Sequence, residues 1–383
     1  MQDKSSISTH PRMLQIAGFV VLFIGSFLDN IRGPLLPILS DELGMNYEAS
    51  SQLLTTGNFF SCIALLLLIS ALKKWSESAV AKTISFATLV TCGLGFWVES
   101  GSLFYLFAAL LGVSSAVFGA LSNIFVVRGT PLNSQANVLS GLQVMYGLSS
   151  MLAPASIAWA VAGSVSWQWV LAGITPVVLA FIYFLYARVP DLEPVDQPDD
   201  GTFNLNRVQI LLLLTFCLYV VAEVSCSMWM TPYMTETYDM DMTEAPLYTS
   251  AFFALMMLSR LVCSVFINPR NTNLFLYVSF IGPLLALSTG IIFRTPWLIP
   301  FAGLFGPFWP IFMSKVTRNY PKQWRSLTIW VITGLQGSLL LMNFFMGKLS
   351  ALIPMQIAYG ISPLFLVLTI ISYFHLRRKT GKF

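Results

Sequence analysis

Histidine is nearly missing from this chain. Only His10 and His375 occur, each near an end, which leaves no histidine relay and no histidine-based metal centre. Charge is scarce too: Asp, Glu, Lys and Arg together make up 10% of 383 residues, against about 25% in soluble domains. The five cysteines (Cys62, Cys92, Cys217, Cys226 and Cys263) all fall inside apolar runs, where a thiol behaves as a small hydrophobe. Neither a disulfide framework nor a metal site is expected. Also lacking are a glycine-rich nucleotide loop, a zinc-type ligand spacing and a nucleophile elbow, so a primary pump or an enzyme has no support and no cofactor is expected. The net charge of +4 is scattered between apolar runs, unlike the clustered basic face of a nucleic-acid binder. A cleavable leader pattern is missing as well; the first apolar run is long and carries charges, and should remain as a span.

What the chain does have is apolar surface, at 56% of residues and a mean hydropathy of +0.73. Runs of about 20 apolar residues number twelve, near 13–39, 51–72, 79–98, 103–127, 138–162, 167–187, 208–234, 246–267, 273–293, 297–318, 326–350 and 356–376. One long polar stretch, 188–207, holds Pro190, Pro194 and Pro198 and reads as a flexible linker. It separates an N-terminal six-helix half (1–187) from a C-terminal one (208–383). The expected class is an all-α integral membrane protein.

Basic residues set the orientation. With the N-terminus cytoplasmic, only Arg32, Arg260, Arg294 and Lys348 of the 21 Lys and Arg residues fall in spans or outside. The outer loops are acidic, with Asp41, Glu42 and Glu48 in the first and Glu236, Asp239, Asp241 and Glu244 in the fourth. This positive-inside bias places both termini in the cytoplasm, as in a multi-pass protein of a bacterial inner membrane.

The most costly stretch is Phe27-Leu28-Asp29-Asn30-Ile31-Arg32-Gly33-Pro34-Leu35-Leu36-Pro37, inside the first run. An aspartate or arginine in a span costs roughly 2.5–3.5 kcal/mol on insertion scales. Asp29 and Arg32, three apart, share a helix face and partly neutralise each other. Gly33, Pro34 and Pro37 should weaken the helix just beyond. Asp29 is echoed by Glu223 in the seventh run, and Gly141-Leu142-Gln143 in the fifth run by Gly334-Leu335-Gln336 in the eleventh, at nearly one offset. Two echoes at one spacing point to a duplicated six-helix unit, the parallel repeat of the major facilitator fold.

At this point the residues resemble a family. Asp29-Asn30 followed by Pro34-Leu35-Leu36-Pro37 is similar to the first helix of the fucose–galactose–proton symporter family within the major facilitator superfamily. Ser122-Asn123 with Phe125-Val126-Val127 resembles its asparagine-containing fourth helix. Ser259-Arg260-Leu261 resembles the eighth, and Gly306-Pro307-Phe308-Trp309-Pro310-Ile311 the tenth. The resemblance implies a proton-coupled sugar symporter whose first-helix carboxylate, here Asp29, binds substrate or proton. Two departures stand out. The family's fourth-helix acid is absent from Phe118-Gly119-Ala120-Leu121, and its basic loop between helices two and three is reduced to Lys73-Lys74-Trp75-Ser76-Glu77.

Asp29 and Glu223 are the two acids placed inside spans. Asp29 is either a structural partner of Arg32 or a carboxylate facing a polar cavity. Glu223 has no basic residue one turn away, so it is either paired with another helix or protonated at rest. Both are candidates for proton coupling, with Asp29, Asn30 and Arg32 also candidates for substrate binding. Arg260 either snorkels to the headgroups or forms a gate. Asn58, Asn123, Gln143, Tyr146, Trp229, Gln336 and Asn343 complete the candidate binding set, although amides in bundles also hold helices together. The reading is a monomeric secondary transporter that moves a small polar solute, such as a sugar, with protons by alternating access. Export of an amphipathic compound and a non-transporting receptor on the same fold are the alternatives.

Overall fold

The computed structural model describes residues 10–98, 101–131, 135–189, 206–266, 271–320 and 324–380. Most of the expected linker therefore lies outside the described residues. Every described regular element is helical. In chain order they are α1 (His10–Asn30), α2 (Arg32–Glu42), α3 (Tyr47–Ser50), α4 (Gln52–Ala71), α5 (Glu77–Leu94), a 3-10 turn (Gly95–Trp97), α6 (Ser102–Arg128), α7 (Gln135–Ala162) and α8 (Gln168–Arg188). There follow α9 (Arg207–Tyr238), α10 (Ala245–Phe266), α11 (Thr272–Ile292), a 3-10 helix (Pro296–Phe305), α12 (Phe308–Asn319), α13 (Trp324–Leu352), α14 (Met355–Tyr359) and α15 (Ile361–Thr380). Eleven described stretches are long and apolar enough to cross a membrane. The 29 residues of α13, about 44 Å of helix, occupy the position of the expected eleventh span. The twelve apolar runs thus become twelve crossings.

Local breaks follow local chemistry. The first span is interrupted at Ile31, just ahead of Gly33 and Pro34, yet Ile31 N still donates to Phe27 O (3.1 Å) and Leu35 N to Ile31 O (3.2 Å). Pro37 is accommodated inside α2. The tenth span starts as ten residues of 3-10 helix, a length seldom reached by that geometry. It changes to α-helix after Gly306-Pro307.

The chain clusters into two compact units, one within residues 1–35 and 52–197, the other within 36–51 and 198–383. The boundary differs from a simple cut at the linker, because the outer part of the first span and its loop group with the second unit. In the first unit α1, α4 and α5 all pack on α6, and glycines set the spacing. A Cβ at Gly18 would lie 2.8 Å from Ser122 O, and one at Gly112 only 2.0 Å from Gly57 O. Such close approach is how helices gain packing in lipid, where no hydrophobic force drives them together. In the second unit α9 packs on α10, α13, α14 and α15, while the 3-10 helix lies on α10 and α11. Cβ atoms at Gly303 and Gly306 would come within 2.5 Å of Phe252 O and Met256 O. Within this unit α3 packs on α13, and the Tyr47 hydroxyl lies 3.4 Å from that of Thr235.

Candidate functional site

Both acids that the sequence singled out, Asp29 and Glu223, stand beside an arginine of their own unit. In the first unit, Arg32 forms an ion pair with Asp29 and its Nε donates to the Asp29 carbonyl (3.1 Å). Nη1 donates to Asn58 Oδ1 (3.3 Å) on α4. The guanidinium lies over Gly57, where a Cβ would come 2.8 Å from Nη1. Arg32 therefore owes its seat to the missing side chain of Gly57. Ser61 Oγ locks the same crossing by donating to Gly57 O and Gly112 O, both at 2.8 Å. The Arg32 side chain is 4% exposed and that of Asp29 35%. One partner is walled in and the other keeps carboxylate surface available to solvent or a solute.

Asn30, next in line, points elsewhere. Its Nδ2 donates to Ser26 O and to Ser150 Oγ on α7, both at 2.9 Å, and the residue is buried. Asn123 is exposed and bends back to Gly119 O (3.0 Å) beside a helix face with open space at Gly119. Gln143 and Tyr146 are half-buried. Tyr146 packs at the edge of the Leu22–Val126–Leu142 cluster and lies within electrostatic reach of Arg32.

In the second unit, Glu223 Oε1 on α9 lies 4.0 Å from Arg260 Nη2 on α10, with side chains 14% and 9% exposed. Of the two options that the sequence left for Glu223, the pairing with another helix is the one found. Arg260 is buried rather than reaching for headgroups. Its Nε donates to Gly306 O (3.1 Å), at the junction between the 3-10 helix and α12. Ser259 Oγ donates to Gly303 O (3.1 Å), so two consecutive α10 residues hold the junction. Tyr219, one turn before Glu223, donates its hydroxyl to Phe305 O and stacks on Phe308 with ring centres 3.6 Å apart.

The remaining candidates divide. Trp229 Nε1 donates to Asn343 Oδ1 (3.2 Å), and both side chains are buried. They spend their polar groups on one helix–helix bond and leave no open indole face. Gln336 is half-buried on α13. A further pair was not anticipated: Glu77, in the first turn of α5 behind its Ser76 cap, is buried and bridges to Arg128 at the end of α6. Among the described residues, no group of three or more His, Cys, Asp or Glu is arranged to hold a metal ion.

Comparison with known proteins adds ancestry. The profile of the Major Facilitator Superfamily matches residues 18–339. Protein TsgA homolog of Buchnera aphidicola subsp. Schizaphis graminum is 22% identical over 262 residues, 64% of this chain and 64% of that protein's own length. Among solved structures, the nucleoside transporter NupG aligns with TM-score 0.75 at 12% identity, over 96% of this chain and 99% of its own. The xylose transporter XylE from E. coli aligns at 0.73 and 11%, over 97% and 99%. The E. coli fucose:proton symporter FucP aligns at 0.64 and 15%, over 96% and 99%. At these identities the structures speak for the fold alone.

Proposed function

For a chain that belongs to the Major Facilitator Superfamily, we propose proton-coupled symport of a small polar solute, of the sugar or nucleoside kind, by alternating access between two six-helix halves (1–187 and 208–383). The observation that carries this reading is the Glu223–Arg260 pair joined to Gly306. An ionisable group kept inside a span is expensive and marks a functional site by default. When Glu223 takes a proton, Arg260 loses its counter-charge while its other bond holds the break in the tenth span. Protonation thereby changes the balance at a joint. A gradient that loads Glu223 shifts the conformational populations by mass action.

Asp29 serves the solute. Arg32 fixes its carboxylate from the buried side, and the exposed part accepts hydrogen bonds from hydroxyl or amino groups of the cargo, with Gln143 and Tyr146 of the same unit as further polar contacts. Asn30, Trp229 and Asn343 act in support, each holding helices of its own unit together. Arg260 is the gate-side residue. The protein works as a monomer in a bacterial inner membrane with both termini cytoplasmic, the side favoured by its basic residues. FucP and XylE, named for fucose and xylose, and NupG for nucleosides, suggest the first solutes to try.

The test is proton movement in proteoliposomes of wild type, Asp29→Asn and Glu223→Gln, challenged with pentoses, hexoses, nucleosides and cationic dyes. External alkalinisation triggered by one solute class, lost in Glu223→Gln, is the expected result. A proton signal of opposite sense with dyes would favour export. Binding without flux of any probe would favour a receptor. Solute flux without proton movement, unchanged in both variants, would leave the two carboxylates structural.

A further inference from the structure

Two prolines decide which carbonyls of the tenth span need a donor from outside it. In an α-helix the carbonyl of residue i takes its hydrogen bond from the N–H of residue i+4. For Gly303 and Gly306 those residues are Pro307 and Pro310, and proline has no N–H to give. These are the two carbonyls that α10 serves: Ser259 Oγ donates to Gly303 O and Arg260 Nε to Gly306 O, both at 3.1 Å. Tyr219 of α9 adds a third donor, at Phe305 O. Gly303 O also takes a 3-10 bond from Gly306 N (3.1 Å), and α-type pairing resumes with Ile311 N to Pro307 O (3.4 Å). Within lipid no water stands in for a deleted backbone donor, so a neighbouring helix must.

The two halves of this span are held by different forces. The 3-10 half lies backbone to backbone on α10: a Cβ at Gly303 would come 2.7 Å from Met256 N, and one at Gly306 2.5 Å from Met256 O. Beyond the break, α12 meets α9 through aromatic rings, with the Phe216 ring centre 4.8 Å from that of Trp309 and 5.6 Å from that of Phe312. Hydrogen bonds fix direction as well as distance, whereas apolar contact is non-directional and tolerates sliding. We propose that Ser259 and Arg260 are positioning residues that replace the backbone donors lost at Pro307 and Pro310, clasping the 3-10 half to α10 and making Gly306–Pro307 a hinge on which α12 turns. A 3-10 stretch in the middle of a helix often marks such a place. In alternating access α10 and the 3-10 half then move as one body, and α12 turns against them. The clasp needs neither a proton at Glu223 nor a named solute, so solute flux without proton movement leaves it standing.

The test is hydrogen exchange of the purified full-length protein, read by mass spectrometry on peptides that cover the amides of Leu304, Phe305 and Gly306. Ser259→Ala should speed exchange there about tenfold, the weight of one hydrogen bond. Pro307→Ala returns an N–H to the helical partner position of Gly303 O, so adding it should restore the wild-type rate, while adding Pro310→Ala should not. For Arg260 the pairing reverses. With Glu223→Gln present throughout, so that no charge is stranded, Arg260→Gln should be rescued by Pro310→Ala and not by Pro307→Ala. Rescue by both prolines alike, or by neither, overturns the clasp. The hinge is read as the distance between spin labels carried on unnatural side chains at Leu247 of α10 and Ser314 of α12, both exposed. The distance distribution should narrow in Pro307→Ala/Pro310→Ala; an unchanged width overturns the hinge.

Discussion

The Asp29–Arg32 and Glu223–Arg260 pairs are built in opposite ways. Asp29 and Arg32 belong to one stretch of chain, three residues apart, and the arginine is the buried partner while the acid keeps 35% of its side chain exposed. Glu223 and Arg260 belong to different helices, both are largely buried, and they stand 4.0 Å apart, at the limit of an ion pair. The first pair straddles the interruption at Ile31 and depends only on that short stretch of the first span. The second depends on how α9 and α10 pack, so helix movement and protonation both act on it. The lesson is that equal chemistry in two repeats need not mean equal work: one pair is suited to holding a solute, the other to switching.

The largest effect expected is from charge removal. Arg260→Gln strands Glu223 in a buried setting and should cost about 3–5 kcal/mol, with much of it recovered when Glu223→Gln is added. Arg32→Gln leaves an acid that still reaches solvent and should cost about 1–2 kcal/mol, near the value of hydrogen bonds to a charged group. Thermal unfolding of the purified variants checks this order; equal losses would erase the contrast between the pairs. Next comes the seat of Arg32. The three atoms nearest a Cβ at Gly112 would all be Gly57 backbone, which has no side chain to swing aside, so Gly112→Ala should lose about 3 kcal/mol by overpacking. The control is Gly337→Ala, where a Cβ would meet nothing within 4 Å.

Trp229→Phe should cost about 1–3 kcal/mol by leaving Asn343 unsatisfied while leaving the dependence of flux on Glu223 intact. Solute affinity that falls tenfold instead would return Trp229 to the binding site. The smallest effect is at Asp241, in the loop before α10. Hydrogen bonds from Thr243 and the Glu244 N–H hold its exposed carboxyl below the usual value. A depressed folded value means the stabilisation is complete above the unfolded carboxylate value, about 3.9, and disappears as pH falls through the folded one. Asp241→Ala should therefore melt slightly earlier than wild type at neutral pH, with the difference vanishing under strong acid.

Much of this was legible beforehand in particular residues. The crossings and their ends follow from apolar run length and from Lys and Arg placement, which are local and additive properties. Asp29 and Glu223 stood out because an acid inside such a run is costly wherever its neighbours lie, and Asp29 could be matched to Arg32 because a helix fixes what is three residues away. The rest was not legible. Asn30 reads in sequence as part of a polar site, and only folding ties it to Ser150, 120 residues on; Trp229 and Asn343, 114 apart, are hidden from sequence in the same way.

What the amino-acid sequence determined by itself is therefore the membrane setting, the twelve helices and the presence of two intramembrane acids. Tertiary structure alone decided that Arg260 is the partner of Glu223 and holds Gly306, that Gly57 makes room for Arg32, and that residues 36–51 group with the second unit. The reason is geometric. Helical periodicity fixes the neighbours of a side chain along its own helix, whereas its neighbours across the bundle depend on the rotation and axial shift of each helix against the next.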